Sequence, residues 1–143
     1  MTYRPYQFIK ASGVELSVDN ETGGTLTKGT PIRVNSLGEM DIIDVSNESH
    51  ALAVVGILKA DTLDGASGIF ISSGRVENIT ITGSFGDSVY VSKSGGLTTT
   101  KPEIGVGGFV SLDFVIRIGV IAKNADNPAN KDIVMDLNVV GQL

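Results

Sequence analysis

Gly29-Thr30-Pro31-Ile32-Arg33-Val34, broken at Asn35-Ser36-Leu37-Gly38-Glu39 and resumed at Met40, has a second copy in Gly86-Asp87-Ser88-Val89-Tyr90-Val91, broken at Ser92-Lys93-Ser94-Gly95-Gly96 and resumed at Leu97. Further along, Ala53-Val54-Val55-Gly56-Ile57-Leu58 is matched by Val115-Ile116-Arg117-Ile118-Gly119-Val120-Ile121. A glycine inside each otherwise strand-like run marks a bulge, a bend or a close backbone approach. Two copies in matching order are too few for a solenoid, which needs at least about three stacked units. They read as the two halves of one small β-barrel or β-sandwich, an all-β fold with an internal duplication.

Outward from the repeats, the chain divides into residues 1–28, an N-terminal arm or first strand, and residues 29–143, a single β domain. The repeat halves span about 29–62 and 86–122, and a C-terminal strand covers 132–140. In Gly13-Val14-Glu15-Leu16-Ser17-Val18 the alternation places Val14, Leu16 and Val18 on one face. No later stretch repeats this segment, which favours an extended arm. Residues 51–59 read as strand throughout. Asp61-Thr62-Leu63-Asp64-Gly65-Ala66-Ser67-Gly68 reads as a polar turn. Val76, Ile79 and Ile81 keep one period only if a bulge falls near Asn78. No amphipathic pattern is long enough to predict a helix.

At 143 residues with no cysteine, the chain is long enough for one core and excludes disulfides, thiolate metal sites and a Cys nucleophile. A net charge of −5 with scattered Lys and Arg argues against direct nucleic-acid binding or an anionic membrane surface. No apolar run approaches the roughly 18 residues of a membrane span. The N-terminus lacks the apolar core of a signal peptide, so a soluble protein made in the cytoplasm is expected.

Candidate chemistry is sparse. His50 is the only histidine, and its neighbour Ser49 would point to the opposite face of a strand, so a Ser-His-Asp arrangement is disfavoured. Gly105-Val106-Gly107-Gly108 lacks the following helix that a phosphate loop requires and reads as a bent connection. Asp61 with Asp64, and Asp126 with Asp132, do not follow calcium-loop spacing and read as solvated turn carboxylates. Without tryptophan and with only three tyrosines, a stacking carbohydrate cleft is poorly supplied. The residues predict no enzyme, no metal and no cofactor.

The run from Gly86 to Pro102, followed by Val115 to Ile121, resembles a pattern found in structural proteins of tailed bacteriophages. Val55-Gly56-Ile57, Asp64-Gly65-Ala66-Ser67-Gly68 and Gly74-Arg75-Val76 are similar to the capsid decoration (cement) type. The resemblance covers roughly residues 29–122. It implies a virion structural protein on the outer capsid surface, bound to the major capsid protein, commonly as a homotrimer. A tail, baseplate or head-fibre component is the alternative, and a carbohydrate-binding β module a further one. Terminal position and apolarity suggest Tyr3, Arg4, Pro5, Tyr6 and Phe8 at the N-terminus and Ile133, Met135 and Leu137 at the C-terminus as interface residues.

Overall fold

A computed structural model describes residues 13–143. Tyr3, Arg4, Pro5, Tyr6 and Phe8 lie outside the described residues. The chain forms β1 (Gly13–Asp19), β2 (Pro31–Val34), β3 (Met40–Asp41), a short helix α1 (Glu48–Leu52), β4 (Val54–Leu58), β5 (Ser67–Val76), β6 (Ser88–Val91), β7 (Leu97–Thr98), β8 (Phe114–Lys123) and β9 (Lys131–Gln142). The strands make one antiparallel sheet in the order β3-β2-β4-β5-β9-β8-β6-β7, with β1 also paired to β5. The sheet curls into a half-barrel, and the fold is all-β.

The two halves superpose residue on residue in their pairing. In the first, Ile32 pairs with Gly56 across β2 and β4, and a register shift follows at once. In the second, Val89 pairs with Gly119 across β6 and β8, with the same shift in the same place. The turns match as well. Asn35 N–H donates to Glu39 O and Gly38 N–H to Asn35 O, while Ser92 N–H donates to Gly96 O and Gly95 N–H to Ser92 O. Gly38 and Gly95 adopt φ of 80° and 90°, a left-handed conformation open to glycine at little cost. Side-chain acceptors close both turns: Asn35 Oδ1 takes the Glu39 N–H, and Ser92 Oγ takes the Gly96 N–H.

The duplication extends further than the sequence suggests. Ile57 pairs with Ile71 and Leu58 with Phe70; Val120 pairs with Val134 and Ile121 with Ile133. Thus β5 and β9 are equivalent strands. Beyond them, β1 lies on β5 through Glu15 and Ile71, while the C-terminal end of β5 lies on β9 through Arg75 and Val134. The end of β5 therefore takes the position of β1 in the second half, and β5 belongs to both. Of the two readings of residues 1–28, an arm or a first strand, residues 13–19 form a strand, with seven paired positions on β5.

Each half turns the same four positions toward the core, with Leu97 half-buried where Met40 is fully buried. Ile32, Met40, Leu58 and Phe70 form one cluster with Val18, Leu26 and Val55 packed against it. Their counterparts Val89, Leu97, Ile121 and Ile133 sit in the larger cluster with Ile57, Ile71, Val91, Ile116 and Ile118. Adjacent strand residues face opposite ways. Leu58 and Phe70 therefore fill one cluster while Ile57 and Ile71 fill the other, so the first half is covered on both faces.

Three local expectations are corrected. Glu48–Leu52 is helical, capped by Asn47 whose side chain accepts the Ser49 N–H, so β4 begins only at Val54. Ser67 and Gly68 belong to β5 rather than to the preceding turn. Asn78 does not bulge a continuing strand: it has φ of 57° and ends β5, leaving Ile79 to Thr82 outside any strand.

Candidate functional site

A groove of about 540 Å³ lies between the two halves among the described residues. One wall is β7 and its continuation, Gly96 to Thr100; the others are Thr27 to Thr30 and Ile79 to Thr82. Seven of its lining residues are threonines, Lys28 is its only charged lining residue, and no carboxylate lines it. Thr99 Oγ1 donates to Thr82 O at 2.8 Å and Lys131 Nζ to Ile81 O at 3.0 Å, so two walls are tied in place. Such a surface offers hydroxyls and strand main chain to a ligand, with no nucleophile–base pair among them.

The groove follows from the pairing of β7. Ser92 and Gly96 form the hydrogen-bonded pair at the turn, and antiparallel pairs alternate, so Val91–Leu97 is a non-hydrogen-bonded pair. The main-chain N–H and C=O of Leu97, and by the same alternation of Thr99, point away from β6 into the groove.

The titratable groups singled out in the sequence are held apart. His50 lies on α1 with Nδ1 accepting the Asp44 N–H at 3.0 Å, while the Ser49 hydroxyl donates to Asn47 Oδ1. Hydrogen bonds from Ser46, side chain first and then main chain, hold the Asp44 carboxyl below its ordinary range, helped by His50 and Lys93. Asp61 accepts the Lys28 N–H and Asp64 the Gly23 N–H, which is turn chemistry. Gly105 to Gly108 is a tight bend closed by Gly105 N–H to Phe109 O at 2.9 Å, and Phe109 anchors it in the core. Among the described residues no group of three His, Asp or Glu is arranged to hold a metal ion. No helix among them is long and apolar enough to cross a membrane.

Among the described residues two carboxylates are buried, Asp132, which the sequence places in a turn, and Asp113, which no sequence signal singles out. Asp132 is fully buried; it accepts from Arg75 at 3.1 Å, the Asn78 N–H at 2.9 Å and the Asn124 amide at 3.0 Å. Asp113 accepts Lys93 Nζ on both oxygens, at 2.9 and 2.7 Å, and the Val110 N–H at 2.9 Å. Burial pushes the Asp113 carboxyl up, but Lys93 and the Val110 N–H outweigh it and leave it below the ordinary carboxylate value. A carboxylate with a lowered folded-state pKa contributes stability above its unfolded value of about 3.9, and that contribution is lost as pH falls through the folded-state pKa. Thermal stability is therefore expected to drop below about pH 4, and Asp113→Asn to flatten that drop while lowering the melting temperature at pH 7. An unchanged acid limb in the variant would remove Asp113 from the account.

The C-terminal interface residues expected from the sequence are out of phase. Ile133 and Met135 point into the core, and Leu137 packs half-buried against it. Because side chains alternate along a strand, the outward positions of β9 include Val134 and Asp136; beyond the register shift between Met135 and Asn138, residues 138–142 are exposed on both faces, Val139 and Val140 among them. Ile133→Val is expected to cost about 0.5–1.5 kcal/mol of folding stability, read by urea unfolding, as a core position would; no loss of stability would return Ile133 to the surface. Around the end of β9, Leu52 and Val139 line a shared cleft of about 210 Å³. Val140 and Leu112 are also exposed, and the Leu112 N–H donates to Leu143 O at 2.7 Å. No protein-family model, no curated protein and no solved structure matches this chain.

Proposed function

We propose that this chain is a non-enzymatic structural protein of a tailed-bacteriophage particle. In this reading it is a decoration protein that binds the major capsid protein on the outer surface of the head, acts as a homotrimer and uses no cofactor. The observation that carries the reading is the exposed apolar pair Leu52 and Val139, which line one cleft beside the C-terminal half of β9. Exposed apolar side chains gathered in this way mark surfaces that a partner covers. A protein that binds only the assembled shell stabilises it by mass action. A trimer touching several capsid subunits gains affinity through effective concentration.

The test is addition of the purified chain to expanded shells that lack it. Co-sedimentation and a raised shell melting temperature are expected. Leu52→Asp, at a side chain 73% exposed, is expected to weaken binding about tenfold while leaving the melting temperature of the isolated chain unchanged. Failure to bind shells, together with recovery on tails or baseplates, would overturn the decoration reading in favour of a tail component.

A further inference from the structure

The duplication supplies an internal precedent for what the threonine-lined groove accepts. In the first half, the outward edge of the hairpin's second strand is covered: Asn20 forms a parallel bridge to Met40. Asn20 is fully buried there, with its N–H on Ala66 O at 2.8 Å and its side-chain amide on Gly24 O and Thr62 O. The counterpart of Met40 is Leu97, whose outward edge has no such cover. The cause is chain length. Glu15 corresponds to Arg75, 60 positions later, whereas Gly29 corresponds to Gly86, 57 positions later. The connection between these points is thus three residues shorter in the second half. It runs through Ile79 to Thr82 on the far wall and leaves the groove between itself and β7.

We infer that this groove is a docking site for an extended, acidic peptide segment of a partner polypeptide, which adds to β7 as a parallel strand. Leu97 and Thr99 present their main-chain N–H and C=O to it, as Met40 does to Asn20; strand addition of this kind takes its affinity from main-chain hydrogen bonds. The acidic preference comes from Lys28 on one wall and Lys101 just past the other, both exposed and neither in an ion pair among the described residues. The covering segment of the first half has that character, with Asp19 and Glu21 flanking Asn20. The inference concerns a surface distinct from the apolar end of β9 and stands apart from the decoration reading.

The probe is a blocked synthetic peptide of the sequence Ser17-Val18-Asp19-Asn20-Glu21-Thr22-Gly23-Gly24, titrated into the isotope-labelled full chain and followed by amide resonances. Saturable shifts confined to the groove walls, Thr27–Thr30, Ile79–Thr82 and Gly96–Thr100, and to the adjacent Lys101 are expected, with hydrogen exchange at Leu97 and Thr99 slowed on binding. Lys28→Glu, an exposed substitution, is expected to weaken the peptide severalfold and to reduce the salt dependence of binding. Thr99→Pro removes an outward donor together with the hydroxyl tie to Thr82 O and is expected to abolish binding, whereas Thr99→Val, which loses only the tie, is expected to retain it; equal loss in both variants would overturn the main-chain pairing. Absence of saturable shifts at millimolar peptide, shifts elsewhere on the protein, or affinity unchanged in Lys28→Glu would each overturn the inference.

Discussion

Gly119→Ala is expected to destabilise the fold by at least about 3 kcal/mol, and Gly56→Ala by a similar amount. A methyl group on Gly119 would overlap the main-chain oxygen of Val134 and crowd Ile133; one on Gly56 would overlap the main-chain oxygen of Ile71 and crowd Phe70. These are equivalent atoms in the two halves, so the close approach is a property of the repeat. Each glycine sits where a register shift lets the central strand pass very near its neighbour, and a backbone oxygen held in a ladder cannot rotate away as a side chain would. Gly24→Ala, where an added methyl meets nothing within 4 Å, is the control and is expected to stay within about 0.5 kcal/mol of the parent. Urea unfolding of the three variants reads the difference. A Gly119→Ala protein as stable as Gly24→Ala would mean that the two strands are not packed as described.

The second large effect is at the seam between the halves. Asp132→Ala is expected to cost about 3–5 kcal/mol, because three groups lose their acceptor together: the Arg75 guanidinium, the Asn78 N–H and the Asn124 amide. Arg75 lies at the end of β5, where that strand leaves the first half and joins the second. Asp132 occupies the place that the exposed Ile69 holds in the first half, so a buried polar anchor has been added where the left-handed Asn78 follows the strand. Asp132→Asn is expected to lose less, since its carbonyl can still accept the Asn78 N–H while its NH2 opposes Arg75. Unfolding in urea at pH 7 orders the variants. An Ala variant within 1 kcal/mol of the parent would show that the cluster does not hold the halves together.

What could be read in the sequence was what is encoded locally. The two hairpins and the glycine in each central strand were legible because turn residues and a strand glycine carry their constraint in the residue type itself. The equivalence of β5 with β9 was hidden, since Phe70 and Ile133, or Ile71 and Val134, share only apolarity and no turn signature marks them. The helix Glu48–Leu52 is too short for a period; its one signal was Asn47, a favoured cap residue, three positions before His50. Terminal position and apolarity point to Ile133, Met135 and Leu137, but neither distinguishes the buried phase of a strand from the exposed one. Nothing local foretold the groove, because it arises from a three-residue difference between two connections and the strand edge this leaves uncovered.

The central claim concerns where the chain resides. The most direct measurement is its copy number by quantitative mass spectrometry of intact phage particles, with heads and tails separated. Hundreds of copies confined to heads are expected for a decoration protein that covers the capsid lattice. A few copies confined to tails, or absence from the particle, would contradict it.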